Sequence, residues 1–166
     1  VSETMQWPPL PDYGIIARWP RDGDDFIHPD DHPIATQCFP SERVLRRDSF
    51  DGTYYHYSYG KFRFRLKPVM WLKVDYEGID IGDQVETIGL GLERELFVAT
   101  VWGIHYVRRK GRMVYRLRRG EQIAPRLYTR DQLKVLTDKE TVKEANFEYP
   151  SPQWKGDQTD REAFEE

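Results

Sequence analysis

Hydrophobic and polar residues alternate along residues 112–119. Met113, Tyr115 and Leu117 fall on one side, and Arg112, Val114, Arg116 and Arg118 on the other. Successive side chains of a strand point to opposite faces, so this stretch predicts a strand with one apolar face. The residues before it carry a matching pattern, and 96–119 reads as one long β-hairpin. A tight turn at Lys110-Gly111 pairs Arg109 with Arg112, Tyr106 with Tyr115 and Ile104 with Leu117. Trp102, Ile104 and Tyr106 then share a core face with Tyr115 and Leu117. A register shifted by one would expose every large side chain. The opposite face shows His105 beside Arg116, Val107 beside Val114 and Gly103 beside Arg118.

The same pattern organises the rest of the chain. Residues 43–50, 53–58 and 61–67 form a meander, with turns at Asp51-Gly52 and near Gly60. Phe62, Phe64 and Leu66 alternate with Lys61, Arg63, Arg65 and Lys67, and Tyr55 and Tyr57 join the apolar face. Tyr54 and His56 point outward with Arg63 and Arg65. Shorter strands are predicted at 13–18, 69–74, 83–88, 122–127 and 134–136. Asp30 or Asp31 starts a short helix through Gln37, Thr129 caps a single helical turn, and a capping box at 137–140 opens a brief helix to about Phe147. The fold class is mostly β. Four parts follow: a proline-rich arm at 1–12, an N-terminal β unit at 13–78, a second β unit at 79–136, and a short helix with an acidic tail at 137–166.

The second unit has a recognisable order. Gly82-Asp83-Gln84-Val85 opens a strand, the long hairpin follows, and Tyr128-Thr129-Arg130-Asp131-Gln132-Leu133 leads through one helical turn into a short last strand. In this order, residues 79–136 resemble SH3-like small β-barrels of the Tudor and KOW kind. The resemblance implies a small barrel packed against the N-terminal antiparallel meander. It also implies a non-catalytic binder of peptides, modified side chains or nucleic acid. Tudor-type binding uses an exposed aromatic cage. The register places Trp102, Tyr106 and Tyr115 on the core face, which argues against a cage made from them.

Charge alters the picture more than overall composition does. The net charge is only −3, yet residues 96–136 hold ten basic and two acidic residues, and residues 75–95 hold seven acidic and one basic. Residues 137–166 hold nine acidic and four basic. Blocks of this size create strong local fields. Arg108, Arg109, Lys110, Arg112, Arg116, Arg118 and Arg119, with His105 among them, are the candidate binding residues. Arginine predominates, which suits bidentate contacts with phosphate or carboxylate. The expected partner is an acidic protein surface or a nucleic acid, with intramolecular pairing to the acidic loop 75–95 and the tail 137–166 in competition. No apolar run approaches membrane-spanning length, and one cysteine permits no internal disulfide. The cytoplasm is the default expectation.

Catalytic chemistry has a weaker basis. The alternative to a binding module is a metal-dependent enzyme using His28, Asp30, Asp31 and His32, near Asp22, Asp24 and Asp25, since imidazole and carboxylate suit zinc, manganese or iron. The stretch is loop and lacks a helix to align the histidines. Its bland reading is a solvated acidic turn. Cys38 reads as interior filler. Gly89-Leu90-Gly91-Leu92 lacks the third glycine and following helix of a nucleotide loop. Pro8 and Pro11 have the spacing of a proline-rich ligand, or belong to a strap over the domain with Trp7 as its anchor. No cofactor is expected.

Overall fold

The computed structural model describes residues 9–88 and 96–137. The expected arm residues Trp7 and Pro8, the Gly89–Leu92 stretch, the helix to Phe147 and the tail lie outside them. Among the described residues ten strands form two antiparallel five-stranded sheets: β1 (Asp12–Ile15), β2 (Leu45–Phe50), β3 (Tyr55–Tyr59), β4 (Phe62–Leu66) and β5 (Leu72–Val74), then β6 (Gln84–Thr87), β7 (Val98–Val107), β8 (Arg112–Arg119), β9 (Gln122–Tyr128) and β10 (Leu133–Val135). The first sheet has the order β4-β3-β2-β1-β5 and the second β10-β6-β7-β8-β9. Neither sheet is closed, and the structure establishes a mostly β fold of two antiparallel sheets. No helix among the described residues is long and apolar enough to cross a membrane.

The meander forms as its pattern predicts. Tyr57 lies opposite Phe64 and His56 opposite Arg65. Tyr59 pairs with Phe62, so the turn is Gly60-Lys61, with Gly60 at φ 58°. Left-handed backbone there costs glycine nothing. Tyr57 and Phe64 stack at 5.4 Å. Helix α1 (His32–Cys38) covers this core with Ala35 and Cys38. The first strand does not simply extend the meander. β1 lies between β2 and β5, and its Asp12 carboxylate accepts two hydrogen bonds from Arg47, at 2.8 and 2.6 Å. The Arg47 guanidinium is held between the rings of Tyr55 and Trp71. A buried charge is tolerated when it is paired and hydrogen-bonded in this way.

The two sheets share their interior. Tyr13, Ile15 and Val74 of the first sheet join Val85, Val101, Ile104, Tyr115 and Leu117 of the second in one apolar cluster. β7 links them through its backbone. Its first half pairs with β6, from Val98 to Thr100. Beyond that point residues 42–44 run beside it: Val44 N–H donates to the Ile104 carbonyl at 2.9 Å, and Tyr106 N–H to the Glu42 carbonyl at 2.8 Å. The long hairpin is therefore the element both sheets are built on.

The hairpin itself departs from expectation in two ways. Val107, not Arg109, lies opposite Arg112, which leaves a four-residue loop at 108–111. Lys110 N–H donates to the Val107 carbonyl at 3.0 Å, and Gly111 takes φ 62°. The register is thus two residues away from the Lys110-Gly111 turn. Two is the strand period, so the faces survive while the partners change: Ile104 meets Tyr115, and Gly103 meets Arg116. The second departure is a bulge between Val101 and Gly103. Val101 takes the core position opposite Leu117. Trp102 leaves the Ile104 face and lies under the Arg118 guanidinium, 4.6 Å from ring centre to charge.

Candidate functional site: a basic cleft at the hairpin tip

The predicted basic strip separates into an interior part and a surface part. Arg116 is only 1% exposed and His105 only 4%, so neither belongs to an outward strip. The cause is the first sheet. Tyr59 reaches across to Gly103, where its hydroxyl accepts a hydrogen bond from Ile104 N–H at 3.2 Å. A Cβ at position 103 would sit 3.1 Å from that hydroxyl, so glycine permits the close approach. The face that alternation assigned to solvent is covered by the first sheet, whose docking the local pattern does not encode.

Arg116 is held by β9. The β8–β9 register shifts between Arg116, opposite Leu127, and Arg118, opposite Ile123, so β9 arches at Ala124-Pro125. Proline has no N–H for the ladder, which favours such an arch. The Ala124 and Pro125 carbonyls turn inward and accept from Arg116 Nη1 at 3.1 and 3.2 Å. His105 lies between Arg43 and Arg116. Burial and these two cations push its pKa down to about 3, so the imidazole is neutral at physiological pH. Arg118 and Arg119 are engaged on the rings of Trp102 and Phe97.

The tip remains on the surface. Arg108, Arg109, Lys110 and Arg112 are all exposed. Arg109, Lys110 and Arg112 form one wall of an open cleft of about 1240 Å³. The end of β5, at Lys73 and Val74, lines it together with Asp75 and Glu77. Arg126 on β9, with Arg130 and Asp131 in the following 3-10 turn, completes the charged lining, and Val107, Met113 and Val114 supply apolar lining. Six cations and three carboxylates thus border the cleft, an excess of three positive charges. Arg126 and Arg130 belong to the basic block 96–136 that the sequence shows. Lys73 does not, because only the topology brings β5 to the hairpin tip.

Part of this charge is fixed within the chain. Arg130 Nε donates to the Glu77 carbonyl at 2.8 Å, and its Nη1 donates to the Leu133 carbonyl at 2.7 Å. Tyr115 donates to the Glu77 carboxylate at 2.7 Å, and burial together with that carboxylate holds its hydroxyl well above its usual pKa. Arg126 lies over the Tyr128 ring. Thr129 caps the 3-10 turn in a reciprocal capping box with Gln132, as the sequence predicts.

The metal alternative loses its geometry. Asp31 is clamped by Arg65 at 2.7 and 3.2 Å, which also keeps its carboxyl below the usual range. His32 pairs with Asp24 at 2.9 Å, while His28 Nδ1 accepts from the Asp30 N–H at 3.1 Å. Asp30 and Asp31 both face Arg65, His28 bonds the local backbone and His32 turns away to Asp24, so the four do not converge on one point. Among the described residues, no group of three or more His, Cys, Asp or Glu is placed to hold a metal. Burial pushes the Cys38 thiol up to about 12, as suits an inert interior side chain.

A family model described as a family of unknown function, DUF6960, matches residues 5–134 and so spans both sheets. No curated protein matches the chain. No solved structure matches it either.

Proposed function

The chain belongs to the DUF6960 family, and for it we propose a non-catalytic binding module that takes an acidic partner in the cleft at the hairpin tip. The observation that carries this reading is the excess of three positive charges around one open cleft, with Arg109, Lys110 and Arg112 exposed on its wall. Arginine forks on a concave, partly apolar surface suit carboxylate or phosphate groups that bring some apolar surface with them. The strand order β10-β6-β7-β8-β9, with a 3-10 turn before the last strand, supports reading the second unit as an SH3-like small barrel. Fold alone names no ligand, so the charge carries the assignment. In this reading the acidic segments at 75–95 and 137–166 compete with an outside partner for the same cations.

Fluorescence anisotropy with labelled polyglutamate and a labelled single-stranded oligonucleotide tests the proposal. At least one of the two is expected to bind in low salt and to release as salt rises. An Arg109→Ala/Arg112→Ala variant is expected to bind about tenfold more weakly while folding normally. For the oligonucleotide, its log–log salt slope should fall by about one per phosphate contact removed. Equal affinity in the variant and wild type rejects the cleft as the site.

A further inference from the structure

The cleft is bordered by more than charge. Among the described residues β5 has a single neighbour, β1, and stands at the edge of its sheet. Lys73 and Val74, two of its three residues, line the cleft. A strand paired on one side presents unpaired N–H and C=O groups on the other, and such an edge is a template for a further strand. Two of the other edges differ. β4 is bridged by Ile27 to Leu66 and packed by α1. β9 carries Pro125 and the arch that serves Arg116. β5 has no proline, and a lysine stands in its centre. Lysine on an edge discourages pairing between copies of the same chain and favours pairing with a segment of opposite charge.

Building on the cleft reading above, we propose that its partner is an extended acidic segment of another protein, added as a strand to the open edge of β5. Backbone hydrogen bonds to 72–74 would supply affinity. Carboxylates along one side of the added strand would meet Arg109 and Arg112 on the facing wall. This is strand addition, in which the backbone gives affinity and alternate side chains give selectivity. A nucleic acid fits less well. Asp75, Glu77 and Asp131 share the cleft with the cations, and a continuous phosphate chain would be repelled by all three.

The test uses the full chain and four probes: a ten-residue peptide alternating glutamate with valine, two versions of it N-methylated at every second residue in the two alternate phases, and a single-stranded oligonucleotide. Affinity is read by anisotropy, and the amides of Leu72, Lys73 and Val74 by hydrogen exchange. The unmodified peptide is expected to bind and slow exchange at those of these amides that point away from β1. One phase of N-methylation should weaken it by about tenfold or more, the other much less, because only one phase donates to the edge. Binding of both methylated forms at full affinity overturns strand addition and leaves the acidic-partner reading intact. Oligonucleotide binding without peptide binding overturns the peptide as partner. Protection, in the free chain, of the amides among 72–74 that point away from β1 overturns the proposal by showing the edge occupied. If no probe binds in low salt, the cleft reading itself fails.

Discussion

Arg116→Ala is expected to cost about 3–5 kcal/mol of unfolding free energy, from two lost charge-assisted hydrogen bonds and the cavity left by a large side chain. Its guanidinium satisfies the carbonyls of Ala124 and Pro125, which the proline arch withdraws from the β8–β9 ladder. Without it, two acceptors are left without this donor beside a void that Tyr59 and Gly103 border. Arg112→Ala, four residues away on the exposed tip, is expected to change stability by no more than about 0.5 kcal/mol. Urea unfolding followed by circular dichroism separates the two. A cost below about 1 kcal/mol for Arg116→Ala would place that side chain on the surface after all and restore it to the binding strip.

His105 gives the fold a dependence on pH. Its folded pKa of about 3 lies below the ordinary value of 6.5 for an unfolded histidine. Above pH 6.5 the ring is neutral in both states and the contribution is nil. Between 6.5 and 3 the unfolded chain takes up a proton that the native state refuses. Stability therefore falls with acidification at up to about 1.4 kcal/mol per pH unit, and the loss levels off below the folded value. Between pH 6.5 and 4.5 this amounts to roughly 2–3 kcal/mol. Asp31, whose carboxyl is held low by Arg65, adds a loss of the same sign only below the ordinary carboxylate range. Urea midpoints measured from pH 7 to pH 4.5 should fall for the wild type. In His105→Gln the decline over this window should be shallower by most of that slope. Parallel declines in the two proteins would mean that His105 protonates freely in the native state.

What the sequence reveals and what it conceals divide along a physical line. Alternation reads one strand against its neighbour, so the meander register at Tyr57 and Phe64 and the faces of the long hairpin were legible. It cannot detect a slip of two, which preserves every face. Only the loop chemistry at 108–111, with Gly111 in a left-handed conformation, could have pointed to the longer turn. Gly103 inside a strand was a usable bulge signal, and it marks where Trp102 leaves the Ile104 face. Pro125 likewise marked the arch that captures Arg116. The docking of the first sheet on His105 and Arg116 left no local trace, because a buried polar face and a solvated one alternate identically. The acidic turn at His28 to His32 was legible as a possible ligand set. Its dispersal to Arg65, Asp24 and the local backbone was not, since those partners are remote in sequence or indistinguishable from it.

The central claim is that the hairpin-tip cleft receives an acidic partner. Chemical-shift mapping of ¹⁵N-labelled protein titrated with polyglutamate tests it most directly. The account predicts shifts concentrated at 73–77, 107–114 and 125–132, the three segments that line the cleft, and little change at the buried His105 and Arg116 amides or across the β3–β4 hairpin. Shifts centred on Arg63 and the outer face of that hairpin, with the cleft unmoved, would contradict it.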